Sequence, residues 1–220
     1  MSAILFGSIS TIADTSELQR ESFNEAFAQH GLDWQWDRDD YRAMLSSSGG
    51  RDRIAEFARS RGEEVDADAV HQTKSDLFVA KLGRGGVKVR PGVKEAVDSA
   101  RSGGMRLALV TTTSPANVAA LADAVRSEVD LDHFDLVVDA SQVDRPKPDR
   151  AAYLFALSRL QEEPQHCVAL EDNVGGVEAA AEAGLRVLAF PNENTQDHDF
   201  DRADRRIEAL SFDDLPDLIA

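Results

Sequence analysis

The sequence predicts an α/β fold: a parallel β-sheet covered on both faces by helices, with a helical block inserted after the first strand. Three observations predict it. The runs "AILF" at 3–6, "RLALVT" at 106–111, "FDLVVD" at 134–139, "HCVAL" at 166–170 and "RVLAF" at 186–190 are of strand length and show little polar alternation. That is how strands buried on both faces read. From residue 106 onward these runs alternate with helix-patterned segments, which implies βαβ units. Residues 15–90 show helix patterns and no strand pattern.

Taken in order, "AILF" is the first strand, and Gly7-Ser8-Ile9-Ser10-Thr11 reads as the loop that follows it. "SELQRESFNEAFAQHG" is an amphipathic helix stopped by Gly31 as its C′ residue. "WDRDDYRAMLSSS", "GGRDRIAEFARSRG" and "DADAVHQTKSDLFVAKL" predict three more helices, making a block of four. "VRPGVKEAVDSARSGG" at 89–104 begins the next helix of the α/β body. Helices are then expected at 114–129, 149–161 and 174–184, and "RRIEAL" at 205–210 predicts a last edge strand. The domains expected are therefore 1–14 with 91–220, and 15–90 inserted, joined by a hinge pair near 12–16 and 86–92.

Composition bounds the function. The chain has 220 residues, 42% of them hydrophobic and 29% charged, with a formal net charge of −16. So acidic a surface argues against nucleic acid or an anionic membrane as a partner, since both require basic surface. No apolar run approaches a membrane span, and the N-terminus lacks a basic region of the signal-peptide kind. A cytoplasmic protein is expected; its oligomeric state is left open, with a monomer the simpler expectation. The single cysteine, Cys167, lies in an apolar run and is expected to be a buried structural thiol.

In an open parallel sheet the site lies beyond the carboxyl ends of the strands. There the sequence places Thr111-Thr112-Thr113-Ser114, then Lys147 between Pro146 and Pro148, then Glu171-Asp172-Asn173. Hydroxyls at a helix N-terminus suit phosphate oxygens, a fixed lysine is a point charge for the same group, and adjacent carboxylates are hard ligands for Mg2+. Each of these is also an ordinary cap or turn. Their recurrence at successive strand ends favours a phosphate and divalent-cation site.

The stretches "ADTSELQRESFNEAFAQHGLDWQWDRDDYRAMLSSSGGRDRI", "LALVTTTSPANV", "RPKPDRAAYLFAL" and "CVALEDNVGGVEAAAEAG" follow one another in a recognisable order. On them the chain resembles the haloacid dehalogenase superfamily, in its β-phosphoglucomutase-like branch, and within that the CbbY-type sugar-bisphosphate phosphatases. The resemblance implies a Rossmann-like three-layer core, a four-helix cap, Mg2+ and phosphoryl transfer through an aspartyl phosphate. It implies phosphate binding by Thr111, Thr113 and Ser114, and transition-state stabilisation by Lys147. Glu171 and Asp172 are the implied Mg2+ ligands. Asp14 and Thr15 end the family's first motif at the cap hinge. Arg51 and Arg53 fall in the cap's substrate loop, "SSSGGRDR". Lys74 could face the same cleft, although an exposed helical lysine is the plainer expectation.

The departure lies in the first motif. The family's Asp-x-Asp-Gly-Thr is here Gly7-Ser8-Ile9-Ser10-Thr11, so the implied nucleophile and acid/base positions hold Gly7 and Ile9. Relatives often carry a histidine where this chain has Gln19. Loss of general acid/base catalysis alone costs roughly 10²–10⁴-fold in rate. Ser8 and Ser10 are the substitute nucleophiles within reach, but Ser8 is expected to point away from the site, and none of the five histidines is expected near these strand ends. The leading expectation is a catalytically impaired binder of a phosphorylated sugar or small phosphate ester, with Mg2+ weak or absent. The alternatives are a Mg2+-dependent phosphatase using another nucleophile or direct water attack, and a partner-binding protein with a vestigial cleft.

Overall fold

The computed structural model describes residues 2–45 and 49–215. β1 (Ala3–Phe6) runs into one helical turn, α1 (Ile9–Ile12), followed by α2 (Ser16–Gln29), α3 (Arg38–Met44), α4 (Gly50–Arg61) and α5 (Ala67–Leu82). The chain then alternates through α6 (Val93–Ser102), β2 (Arg106–Val110), α7 (Pro115–Val125), β3 (Leu136–Val138), α8 (Ala151–Leu160) and β4 (Cys167–Glu171). It ends with α9 (Val174–Glu182), β5 (Arg186–Ala189) and β6 (Arg205–Arg206).

All five strand pairings are parallel, in the order β3-β2-β1-β4-β5-β6. The order reverses at β1, so the crevice beyond the carboxyl ends of β1, β2 and β4 is where an α/β sheet binds ligands. Because successive strand side chains point to opposite faces, Ile4, Phe6, Leu107, Leu109 and Leu170 enter one apolar layer and Ala3, Leu5, Val110, Cys167 and Ala169 the other. Cys167 is fully buried, and burial pushes its thiol up to about 11. It is the inert structural thiol the sequence led us to expect.

α2 to α5 hold a third apolar cluster of their own, built on Phe23, Phe27, Trp34, Trp36, Tyr41 and Ile54. The aromatic rings interlock, with Trp36 lying 4.6 Å from Phe27 and 4.9 Å from Phe23 between centroids. Side-chain caps start these helices where the sequence supplies them: Asp37 accepts from the Asp40 N–H and Asp66 from the Ala69 N–H. Gly31 adopts a positive φ of 69° just past α2, the left-handed stop expected of it. The two connections to the sheet are tied to each other. Ala13 and Val89 form an antiparallel bridge, and Arg90 N–H donates to Ile12 O at 2.8 Å.

Three elements differ from expectation. The edge strand at 205–210 shortens to Arg205–Arg206. The helix expected at 36–48 starts only at Arg38, because Trp36 is drawn into the aromatic cluster and Asp37 serves as the cap; its expected end, 46–48, lies outside the described residues. Finally, the turn at Gly7–Thr11 is no alternating loop. Ile9–Ile12 coil into α1, with Ser8 at its N-cap position.

Candidate functional site

A cavity of about 460 Å³ opens between the carboxyl end of the sheet and the helical block. The sheet side is built from three strand ends. After β1 come Ser8, Ile9 and Ser10; after β2, Thr111 to Ser114 and Asn117; after β4, Asp172 and Asn173. α7 opens with Ser114, whose hydroxyl accepts from Asn117 N–H, and with Pro115 preset for the first turn. Asn117 Nδ2 donates to Thr113 Oγ1 at 2.9 Å, and Thr113 N–H donates to Thr111 Oγ1. Thr111, Thr113 and Ser114 are thus gathered at one helix N-terminus, a polar cradle suited to an anion.

The two residues expected to act on that anion lie elsewhere. Lys147 and Glu171 do not line the cavity. They form a buried ion pair at 2.6 Å, with Glu171 fully inaccessible. The Lys147 ammonium also donates to the carbonyls of Gly7 and Val110 (2.7 Å to the latter), so its three protons are used. Tyr153 donates its hydroxyl to the same Glu171 oxygen at 2.6 Å. The space for this arrangement exists because two glycines flank it. A Cβ on Gly7 would overlap the Glu171 carboxylate and the Tyr153 hydroxyl, and a Cβ on Gly176 would overlap the carboxylate from the other side. The missing side chain at 7 is therefore replaced in space by Glu171. Burial, joined by the charge of Asp172, holds the Glu171 carboxyl above its ordinary range, even though Lys147 and Tyr153 pull it down.

Asp172 faces the cavity but already accepts three side-chain hydrogen bonds. Ser8 Oγ donates to its Oδ1 at 2.7 Å, Asn173 Nδ2 to the same atom at 3.0 Å, and Asn192 Nδ2 to Oδ2 at 2.7 Å. Mg2+ requires lone pairs directed inward from carboxylates, waters and substrate phosphate. Here the ion would meet one carboxylate ringed by N–H and O–H groups, with Ile9 beside it. Among the described residues no three acidic, histidine or cysteine side chains cluster to hold a metal. The orphaned oxygen of the second carboxylate, Glu171 Oε2, is turned toward Gly176 and away from the cavity. The donor set does not fit a resident Mg2+.

Ser8 departs from expectation in the opposite sense, since it faces the cavity. The α1 turn rotates it inward and lets Asp172 accept its proton. Ser10 also lines the cavity, but it is buried and its hydroxyl is engaged with Thr15 in a hydrogen bond of 2.8 Å. Asp14 caps Ser16 N–H, at the joint where it was expected.

The cation charge comes from the helical block. Arg53 and Lys74 are buried and line the cavity, so Lys74 is not the exposed helical lysine expected. Arg53 donates Nε–H to Met44 O and lies over the Tyr41 ring. Lys74 donates to Gln19 Oε1 at 2.6 Å and sits 4.8 Å and 5.0 Å from the Phe23 and Phe78 ring centres. Burial, helped by the Arg53 charge, lowers its ammonium to about 7. His71 also lines the cavity, against expectation, and burial with repulsion from Lys74 and Arg53 lowers it to about 4. Arg51 stays at the exposed rim, committed to Asp68 and Asp52 at 2.9 Å each. The remainder of its loop, 46–48, lies outside the described residues.

The pattern of the haloacid dehalogenase-like hydrolases matches residues 1–184. The chain is also 39% identical to protein CbbY of Rhodobacter capsulatus, over 96% of this chain and 94% of that one. It belongs to the haloacid dehalogenase-like hydrolase family. Two crystal structures of CbbY from Rhodobacter sphaeroides, each 38% identical, superpose with TM-scores of 0.87 and 0.89. The first contains phosphate, with 95% and 94% of the two chains covered. The second is a variant holding xylulose-1,5-bisphosphate, with full coverage of both. Within this family the chain keeps the parallel core and helical insertion, and its cleft lies between them. Tyr153 and Asn192 were not singled out from the sequence; Gly176 reads there only as one of two glycines after the acidic pair, and His71 only as a cap or surface histidine. The only signals for them were a tyrosine one turn past "RPKPD" and the paired glycines after "EDN"; nothing local marks Asn192.

Proposed function

We propose that this protein binds a small phosphorylated carbohydrate in the cleft and does so without forming an aspartyl phosphate and without a resident Mg2+. One observation carries the reading. The space where a residue-7 side chain would reach the anion is filled by Glu171, which Lys147 neutralises from within. With no carboxylate at 7 or 9, the aspartate nucleophile and the aspartate acid/base of the family motif are both absent. What remains is a polar cradle at Thr111, Thr113 and Ser114 on one wall and Arg53 and Lys74 on the other. These complement a ligand with a phosphate at one end and polar or anionic groups at the other. The CbbY structure holding xylulose-1,5-bisphosphate supports a ligand of that class.

A second reading rests on Ser8. A hydroxyl 2.7 Å from a carboxylate acceptor is the pairing a serine nucleophile needs, and it would make the protein a phosphomonoesterase with Asp172 as base. The two readings separate in one assay. Pentulose phosphates and bisphosphates are tested for thermal stabilisation and for phosphate release, with Mg2+ and with EDTA. Stabilisation that survives EDTA, without release, is the expected result. Release abolished by Ser8→Ala would replace the first reading with the second.

A further inference from the structure

Lys74, which faces the ligand's non-phosphate end in the proposed binding, has a chemistry beyond charge. Its surroundings are unlike those of Lys147. Lys147 has a carboxylate and two carbonyls. The Lys74 amine meets a neutral amide oxygen, Gln19 Oε1, and the faces of Phe23 and Phe78. The charged group acting on it is Arg53, on α4; His71, about one turn back on α5, faces it as the neighbouring titratable group. Burial and the Arg53 charge disfavour its ammonium form, while His71, lowered to about 4, is neutral near pH 7 and adds no charge there. An amine desolvated in an apolar pocket beside another cation is an activated nucleophile toward carbonyl carbon, and near neutral pH a substantial fraction of this one carries a free lone pair. It also lines the same cavity as the Thr111–Ser114 cradle.

We propose that Lys74 forms a reversible Schiff base with the free carbonyl of an open-chain sugar phosphate held in the cleft. The ligand class follows from simple chemistry. A pentulose esterified at both ends has no hydroxyl left to close a ring onto its ketone, so its carbonyl stays free. In the step, the Nζ lone pair adds to the carbonyl carbon and the C=O π pair moves to oxygen, which takes up a proton. The nitrogen's proton shifts to that oxygen and water leaves, so one amine, one carbonyl and one proton yield a protonated imine and one water. Gln19 accepts one N–H of the attacking amine and fixes its direction. The inference rests on the binding reading only for the phosphate that brings the carbonyl to Lys74.

The test is reductive trapping of the full chain. The protein is incubated near pH 7.5 with glyceraldehyde 3-phosphate, sodium cyanoborohydride is added, and the adduct is mapped by peptide mass. The chain has five lysines, at 74, 81, 88, 94 and 147, so the exposed ones are internal references. We expect labelling of Lys74 at least tenfold above Lys88 and Lys94, and its loss in Lys74→Arg. Labelling spread over Lys81, Lys88 and Lys94 in wild type, or no labelling, overturns the inference whether or not a Lys74 variant folds. Glycerol 3-phosphate, which lacks a carbonyl, is run in parallel for thermal stabilisation. Stabilisation by it without a Lys74 adduct sinks this inference and leaves the binding reading standing. A Lys74 adduct with unphosphorylated glyceraldehyde, and no stabilisation by glycerol 3-phosphate, does the reverse.

Discussion

Gly7 and Gly176 touch one carboxylate from opposite sides, and between them they decide what Lys147 can do. Two short glycines open a slot, Glu171 fills it, and the ammonium that would otherwise reach the cleft is consumed inside the protein. Gly7→Ala should therefore overpack this slot and cost about 1–3 kcal/mol, the usual penalty for a forced fit in a dense interior. Its midpoint in urea should fall, and Gly7→Ala combined with Glu171→Ala should fall by less than the sum of the singles, because the clash disappears with the carboxylate. Additive losses would mean that the two side chains do not compete for space. Glu171→Gln keeps the shape but leaves a buried ammonium without its counter-charge, which typically costs about 3–5 kcal/mol. Gly7→Asp with Ile9→Asp restores the family motif on paper. Structurally it places two carboxylates around one ammonium, so we expect a less stable protein than the wild type and no turnover while Glu171 holds Lys147. Phosphate release by that double variant alone would show that Glu171 yields its place readily.

At the scale of elements, α5 is where packing and titration meet. It carries Val70, Lys74, Phe78 and Leu82 at four-residue spacing, one continuous buried stripe. That spacing is a signal in the sequence against the exposed lysine we expected, since Lys74 falls within an apolar stripe, and the expectation overlooked it. The strand runs, the four inserted helices and the hydroxyl cradle were equally legible, because period and capping are local properties. What was not legible was tertiary. Nothing near Asn192 or Tyr153 says that they meet Asp172 and Glu171, and the inward turn of Ser8 depends on α1 coiling where an alternating loop was expected. The same helix gives a pH prediction. His71 is lowered to about 4 from an ordinary value near 6.5, so between those values the unfolded chain binds a proton that the native protein does not. Stability should therefore rise with pH from about 4 to 6.5, by at most about 1.4 kcal/mol per pH unit for this group. His71→Gln should flatten that part of a urea-midpoint profile against pH. An unchanged slope would assign it to other groups.

For the whole molecule, the segment after β5 joins the sheet to the helical block. Its Asn192 and Thr195 hold Asp172, through the carboxylate at 2.7 Å and the main-chain oxygen at 2.6 Å. Between and just after these two residues it reaches across the cleft: Asn194 donates to Glu17 at 2.7 Å, Asp197 pairs with Arg42 at 2.6 Å, and Glu193 pairs with Arg38 at 2.7 Å. One loop thus grips both the cleft carboxylate and the block that covers it. Burial works against the Glu17 charge, but hydrogen bonds from Arg20, Asn194 and Arg38 outweigh it and hold the carboxyl at about 2. By linkage, the contribution of Glu17 is complete above its unfolded value of about 4.5 and fades as pH falls toward 2. The pairs that end on Asp197 and Glu193 reach the surface, where single ion pairs add little to global stability and are screened by salt. Their effect should appear in how the block sits on the sheet. Glu17→Gln with Arg42→Ala should lower the urea midpoint near pH 7, and should also raise hydrogen exchange at 86–92 and enlarge the radius of gyration in solution scattering. Raised salt should do the same to the wild type. If exchange at the joint stays as it was while the midpoint falls, the loop is only a structural brace and the cleft closes by other means.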